Sequence, residues 1–237
     1  MGNGITFDDK YHTYKDWGLK LLSVRIPLPD VQENTIDVPG MDGSLDLTEA
    51  LGRILYSDRD GIELVFDFLD GSYANWFTTV EKITGLIHGK KVKMVLDSEP
   101  NRFYNIRLHI DTEKSNAIMS QIILSGKAEP FKYDVTSTLD KWEWDNFNFV
   151  NGVIQQHDNI IVESSLTVLL IGKGKGSNPT FIVDEADSLE VTYKENTFAL
   201  NVGKNRITDI YIGNGEIAEL MFSGTGTLAI DYRGEYI

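Results

Sequence analysis

Apolar and polar residues alternate along most of this chain, and each change of phase predicts where a strand bends or stops. Trp17, Leu19 and Leu21 share one phase, while Leu22, Val24, Ile26 and Leu28 share the other. A slip of one residue inside a period-two run is how a β-bulge looks in sequence. Pro27 and Pro29 lack ladder donors, so the strand is expected to end there or to lie at a sheet edge. The stretch from Ile36 to Glu49 then sets two turns between two short alternating pieces, Ile36 with Val38 and Leu45 with Leu47. Pro39 fixes φ for the first central position of a type II turn, and Gly40 supplies the positive φ needed at the second. Asp42 and Gly43 repeat the device, which predicts a tight double bend within a hairpin. Asp58-Arg59-Asp60-Gly61 lacks the first carboxylate and the terminal Glu of a calcium loop and reads as a hairpin turn.

Ile62, Leu64, Phe66 and Phe68 face one way and Glu63 and Asp67 the other, a strand with one side in a core. From Ala74 to His88 the period changes. Trp76, Val80, Ile83 and Ile87 fall on one helical stripe, with Gly89 as a left-handed stop and Lys90 and Lys91 at the negative end of the dipole. A single helix laid on a sheet accounts for this stripe, although Gly85 costs it about 1 kcal/mol relative to alanine. Period two returns in Val92, Met94 and Leu96, in Tyr104, Ile106, Leu108 and Ile110, and in Ile118, Ile122 and Leu124, the last two runs joined by a polar connection at Glu113 to Asn116. The run closes at Glu129-Pro130-Phe131-Lys132-Tyr133-Asp134, and the Thr- and Ser-containing stretch to Asp140 marks a boundary between domains 1–136 and 137–237.

Beyond it the pattern is of strands alone, at Trp142 and Trp144, Ile160 and Val162, Leu166 to Ile171, Phe181 to Val183, Leu189 to Tyr193, Phe198 to Val202, Ile207 to Ile212, and Leu228 to Tyr232. Short strands spaced by Gly, Asn and Asp predict a sandwich or jelly roll. Leu166 to Ile171, apolar on both faces, reads as a central strand. The first domain's pattern does not recur.

Composition narrows the chemistry. The 237 residues exceed the usual single-domain size of about 100 to 150, in line with two cores. No window reaches the length of a membrane span, and the N-terminal residues, with Asp8 and Asp9, do not read as a secretory signal. Met1-Gly2-Asn3-Gly4-Ile5-Thr6 matches the permissive myristoylation pattern and is read as a flexible start. Zero cysteines remove thiol nucleophiles, disulfides and thiolate metal sites. A net charge of -14 argues against affinity for nucleic-acid phosphates, which requires clustered Lys and Arg. The acid excess lies in both halves: residues 1 to 136 carry 15 basic and 21 acidic groups, and residues 137 to 237 carry 7 and 15.

Candidate sites for catalysis are sparse. Gly172-Lys173-Gly174-Lys175-Gly176-Ser177 lacks the closing Gly-Lys-Ser/Thr of a phosphate loop and leads through Asn178-Pro179 into another strand, so it reads as a hairpin loop. His12, His88, His109 and His157 show no two-ligand spacing, and no Gly-x-Ser-x-Gly elbow or pair of carboxylates stands out. No enzyme, metal or cofactor is expected. Trp142, Trp144, Tyr193, Tyr211 and Tyr232 leave a rival open, a carbohydrate-binding module with a flat aromatic face for cell-wall polysaccharide.

Phe7-Asp8-Asp9-Lys10, Asp16-Trp17-Gly18-Leu19, the double bend and Leu86-Ile87-His88-Gly89-Lys90-Lys91, in this order and at these distances, resemble the distal tail protein (Dit) family of long-tailed bacteriophages and prophages. The resemblance covers residues 4 to 134. It implies a mainly β fold: a sandwich or barrel-like N-terminal domain with one α-helix and a β-hairpin, then a galectin-like C-terminal sandwich. It further implies a structural virion protein of the tail tip or baseplate, assembled in the bacterial cytoplasm. Six copies would form a ring through their N-terminal domains. This ring would join the major tail tube protein to the tail-tip lysin or fibre, with receptor-binding protein at the periphery and genomic DNA passing through. Trp17, Gly18, Pro39, Gly40, Asp42, Gly43, His88, Gly89 and Lys90 carry the likeness, and the role it implies for them is architectural.

Overall fold

The computed structural model describes residues 4–50, 52–69, 73–111, 121–141 and 155–237. Met1 to Asn3, Glu113 to Asn116, Ile118, Trp142 and Trp144 lie outside the described residues. The chain divides into two compact units, Met1–Lys132 with Ile237, and Tyr133–Tyr236.

The first unit contains β1 (Ile5–Phe7), β2 (Tyr11–His12), α1 (Thr13–Trp17), β3 (Leu19–Arg25), β4 (Thr35–Asp37), β5 (Ser44–Asp46), β6 (Arg59–Phe68), α2 (Tyr73–Ile87), β7 (Lys91–Leu96), β8 (Glu99–Ile110) and β9 (Gln121–Asp134), whose last two residues belong to the second unit. Seven of these strands form one sheet in the order β2-β1-β7-β8-β9-β6-β3. Its core face carries Ile5, Phe7, Leu64, Phe66, Met94, Ile106, Leu108, Ile122 and Leu124, every one fully buried. The predicted stripe of α2 covers this face through Trp76, Ile83 and Ile87, with Val80 packed beside them. Burial of each such side chain contributes about 1.5–3 kcal/mol, which offsets the cost of Gly85. The helix ends at Gly89, whose φ is 70°.

Strand β3 follows its sequence closely. Leu21 pairs with Phe66 and Ser23 with Val65, so Leu22 is the extra residue of a bulge. The strand stops at Arg25, before Pro27, and lies at the edge of its sheet. Trp17, however, belongs to the short helix α1 and not to the strand, because Gly18 at φ 63° caps the turn and returns its N–H to the Thr13 carbonyl. The turn expected at Asp58 to Gly61 is instead a bulge within β6. Arg59 pairs with Ala128 and Ile62 with Gly126, with Gly61 at φ 73° absorbing the extra residue.

The second unit contains β10 (Ile160–Val162), β11 (Ser165–Ile171), β12 (Gly176–Ser177), β13 (Thr180–Tyr193), β14 (Asn196–Ala199), β15 (Gly203–Arg206), β16 (Ile212–Gly213), β17 (Ile217–Asp231) and β18 (Glu235–Tyr236). Two long strands, β13 and β17, pair with each other along nearly their whole length and organise the rest. β17 takes β11 along its first half and β10 along its second; β13 takes β15 at its start and β14 at its end. Phe181 and Phe222, from these two strands, meet edge to face at 6.0 Å in the core.

Three expectations for this unit need correction. The two runs at Phe181 and Leu189 are a single strand, because the polar residues between them form two register shifts and not a turn. Leu166 to Ile171 is not central: among the described residues β11 pairs with β17 alone, and Leu166 and Leu169 face solvent. Ile207 to Ile212 is mostly a turn, in which the Asn178 amide donates to the carbonyls of Ile207, Thr208 and Ile210 and so takes up acceptors that a ladder would use. The mainly β class stands.

Candidate assembly interface

Between β3 and β6 the chain leaves the sheet as an arm. Among the described residues β4 and β5 pair only with each other, Thr35 with Asp46, Ile36 with Leu45 and Asp37 with Ser44. At the tip the Met41 N–H donates to the Val38 carbonyl at 3.1 Å across Pro39 and Gly40, whose φ is 84°; Gly43 follows at φ 77°. That is the double bend the sequence predicts. Below it the two sides stay tied, Leu47 N–H to the Asn34 carbonyl at 2.7 Å, Gln32 N–H to Leu55 at 2.9 Å and Ser57 N–H to Asp30 at 2.9 Å. The sequence did not reveal that no residue of β4 or β5 enters a core. Ile36 is 48% exposed, Met41 47% and Leu45 44%. A lone two-stranded hairpin is marginal in water, and clustered exposed apolar side chains mark a surface that meets another molecule.

Arg59 fixes the base of this arm. The bulge in β6 turns its side chain inward to 2% exposure, where Nη1 donates to the Pro27 carbonyl at 2.8 Å and Nε to the Pro130 carbonyl at 2.9 Å. The guanidinium carbon lies 5.7 Å from the Tyr104 ring centroid. Burial pushes the Arg59 pKa down, and Tyr104 and Glu99 oppose that. Sequence reasoning missed this residue, because a charged side chain in a turn-like Asp-Arg-Asp-Gly reads as solvated.

The nine residues that carry the family likeness occupy three places, with no hydrogen bond between the sets among the described residues. Trp17 stacks on Phe7 at 5.9 Å and on Tyr11 at 6.0 Å inside the first core, and Gly18 caps α1. Pro39, Gly40, Asp42 and Gly43 form the arm tip. His88, Gly89 and Lys90 end α2: the Gly89 N–H donates to Leu108 at 2.7 Å, His88 Nδ1 accepts from Ile110 at 3.1 Å, and Lys90 Nζ donates to the Gly85 carbonyl at 2.7 Å. Arg107 adds a bond to the Gly89 carbonyl, so two cations sit at the negative end of the helix.

No family model matches the chain, and no curated protein does. Among solved structures it is similar to the SPP1 Dit (gp 19.1) protein, described as a paradigm of the hub adsorption apparatus in phages infecting Gram-positive bacteria; TM-score is 0.58 at 14% identity, over 99% of each chain. The chain has the distal tail protein fold.

Within this Dit-like fold the remaining candidate sites are structural. The glycine-rich loop turns its N–H groups inward: Gly172 donates to Glu216, Lys173 to the Tyr232 hydroxyl and Lys175 to Glu235, so they are not available to an anion. Of the aromatic residues weighed for a glycan face, Tyr193 and Tyr232 are buried at 4% and 3% exposure, and the half-buried Tyr211 spends its hydroxyl on the Lys175 carbonyl. Those three make no flat exposed platform. Among the described residues no group of three or more His, Asp or Glu converges as metal ligands would. His12 works as a cap: its Nδ1 accepts from Tyr14 and Lys15, and its Nε2 lies 3.2 Å from the Asp97 carboxylate.

Proposed function

We propose that the chain is a structural virion protein, the distal tail hub of a long non-contractile phage tail. Six copies close into a ring through domain 1–136, and domain 137–237 is a galectin-like sandwich. The ring joins the major tail tube protein to the tail-tip lysin or fibre and provides a mount for receptor-binding protein. It is assembled in the cytoplasm of the bacterial host and works at the virion tail tip. The observation that carries this reading is the agreement in fold with SPP1 Dit from end to end of both chains.

The exposed arm supports it, since apolar side chains displayed on a hairpin gain stability only when a partner covers them. Function here is geometry and not turnover. A closed ring uses one patch of a protomer against a different patch of the next, and the rotation must close. A net charge of -14 suits a channel past which DNA slides without sticking. Light scattering at high protein concentration tests the reading, with a six-fold multiple of 26.7 kDa expected. A monomer at every concentration that binds cell-wall polysaccharide would overturn it in favour of a carbohydrate-binding module.

A further inference from the structure

The arm has a charge as well as an apolar surface. From Asp30 to Glu49 it carries Asp30, Glu33, Asp37, Asp42, Asp46 and Glu49 and not one lysine or arginine. Among the described residues none of these carboxylates makes a salt bridge. The same unit holds a region of opposite sign. Residues 82 to 107 carry Lys82, Lys90, Lys91, Lys93, Arg102 and Arg107 against Asp97 and Glu99; Lys91 pairs with Glu129 and Lys93 with Asp9, while Lys82, Lys90 and Arg107 meet no carboxylate among the described residues. Where α2 ends, Lys90 and Arg107 bond to the carbonyls of Gly85 and Gly89, neither to a carboxylate. Gly85 lies on the exposed side of the helix with open space where a Cβ would stand, so a hairpin can approach the backbone there.

We propose that the arm of one copy docks on the basic end of α2, at Lys90 and Arg107, in the next copy. The acidic hairpin meets the cations while Ile36, Met41 and Leu45 lie over the helix surface beside Gly85. Arm and receptor are different elements of one unit, so the contact is heterologous and repeats around an axis. It gives the arm tip and the His88-Gly89-Lys90 segment a shared purpose across the interface, although no bond joins them within one copy. The inference rests on the ring assembly proposed above.

Charge reversal tests it. Asp37→Lys with Asp42→Lys makes an arm variant, and Lys90→Glu with Arg107→Glu makes a receptor variant; neither arm position is hydrogen-bonded within the hairpin through its side chain. Each variant alone is expected to associate at least roughly tenfold more weakly than the wild type, because like charges then face each other. An equimolar mixture restores association, since each variant's arm is complementary to the other's receptor. If the receptor variant does not fold, Lys90→Gln with Arg107→Gln removes the same two charges without adding acids, and it too is expected to weaken association. Wild-type association that neither variant weakens, or a mixture as weak as its components, overturns this contact and leaves the ring intact. A wild type that never associates overturns the ring and the contact together.

Discussion

Replacing Arg59 by methionine isolates the bonds that hold the arm to the sheet. Methionine keeps most of the aliphatic stem, so little packing is lost, and it removes both donors to the Pro27 and Pro130 carbonyls. Each buried acceptor left unpaired costs about 1–3 kcal/mol. Against this, the variant is relieved of a guanidinium whose burial is incompletely compensated: Nη2 is buried without a hydrogen-bond partner. The net expectation is a loss of about 2 kcal/mol, or a fall in Tm of roughly 5–10 °C for the first unit. Urea titration of wild type and variant measures the first figure and calorimetry the second. Hydrogen exchange adds a local readout, because the Pro27 carbonyl anchors one side of the arm base. The Gln32 and Ser57 amides, which bridge the two sides of that base, should lose protection beyond the global change. A stability within about 0.5 kcal/mol of wild type, with those amides unchanged, would refute the clamp.

Two further predictions address the second unit. Gly172→Ala places a Cβ 1.8 Å from the Gly213 carbonyl oxygen and should cost about 2–4 kcal/mol by urea titration, whereas Gly203→Ala, with positive φ but open space, should cost only about 1–2. The second unit should also weaken in acid. Burial holds the His157 pKa below its ordinary 6.5, and Nε2 is buried with no partner for an added proton. The unfolded chain therefore takes the proton first, so this contribution is complete above about pH 7.5 and declines as pH falls through 6.5 towards the lower folded value. Urea midpoints between pH 5 and 8 check the slope, which His157→Gln should flatten.

The Leu22 bulge, the α2 stripe and the positive φ of Gly40, Gly43 and Gly89 were legible in sequence because each depends on neighbours a few residues away. Sterics at a glycine turn and the period of a strand or helix are local properties, and they survived into the fold. The sequence misled where partners decided. Leu166 to Ile171 is apolar on both faces and still lies at an edge, since periodicity tells which side chains are alike and not how many strands arrive beside them. Tyr193 and Tyr232 looked available to a sugar until the core closed over them.

The candidate interface divides in the same way. Sequence alone determined that residues 36 to 49 bend twice and are acidic, and that a helix ends at His88-Gly89-Lys90. Tertiary structure decided that the bend stands away from every core, and that Arg59 turns inward to reach carbonyls 32 and 71 residues distant. Burial of a charge and exposure of a leucine depend on what distant segments of the chain supply or fail to supply. No local pattern carries that information.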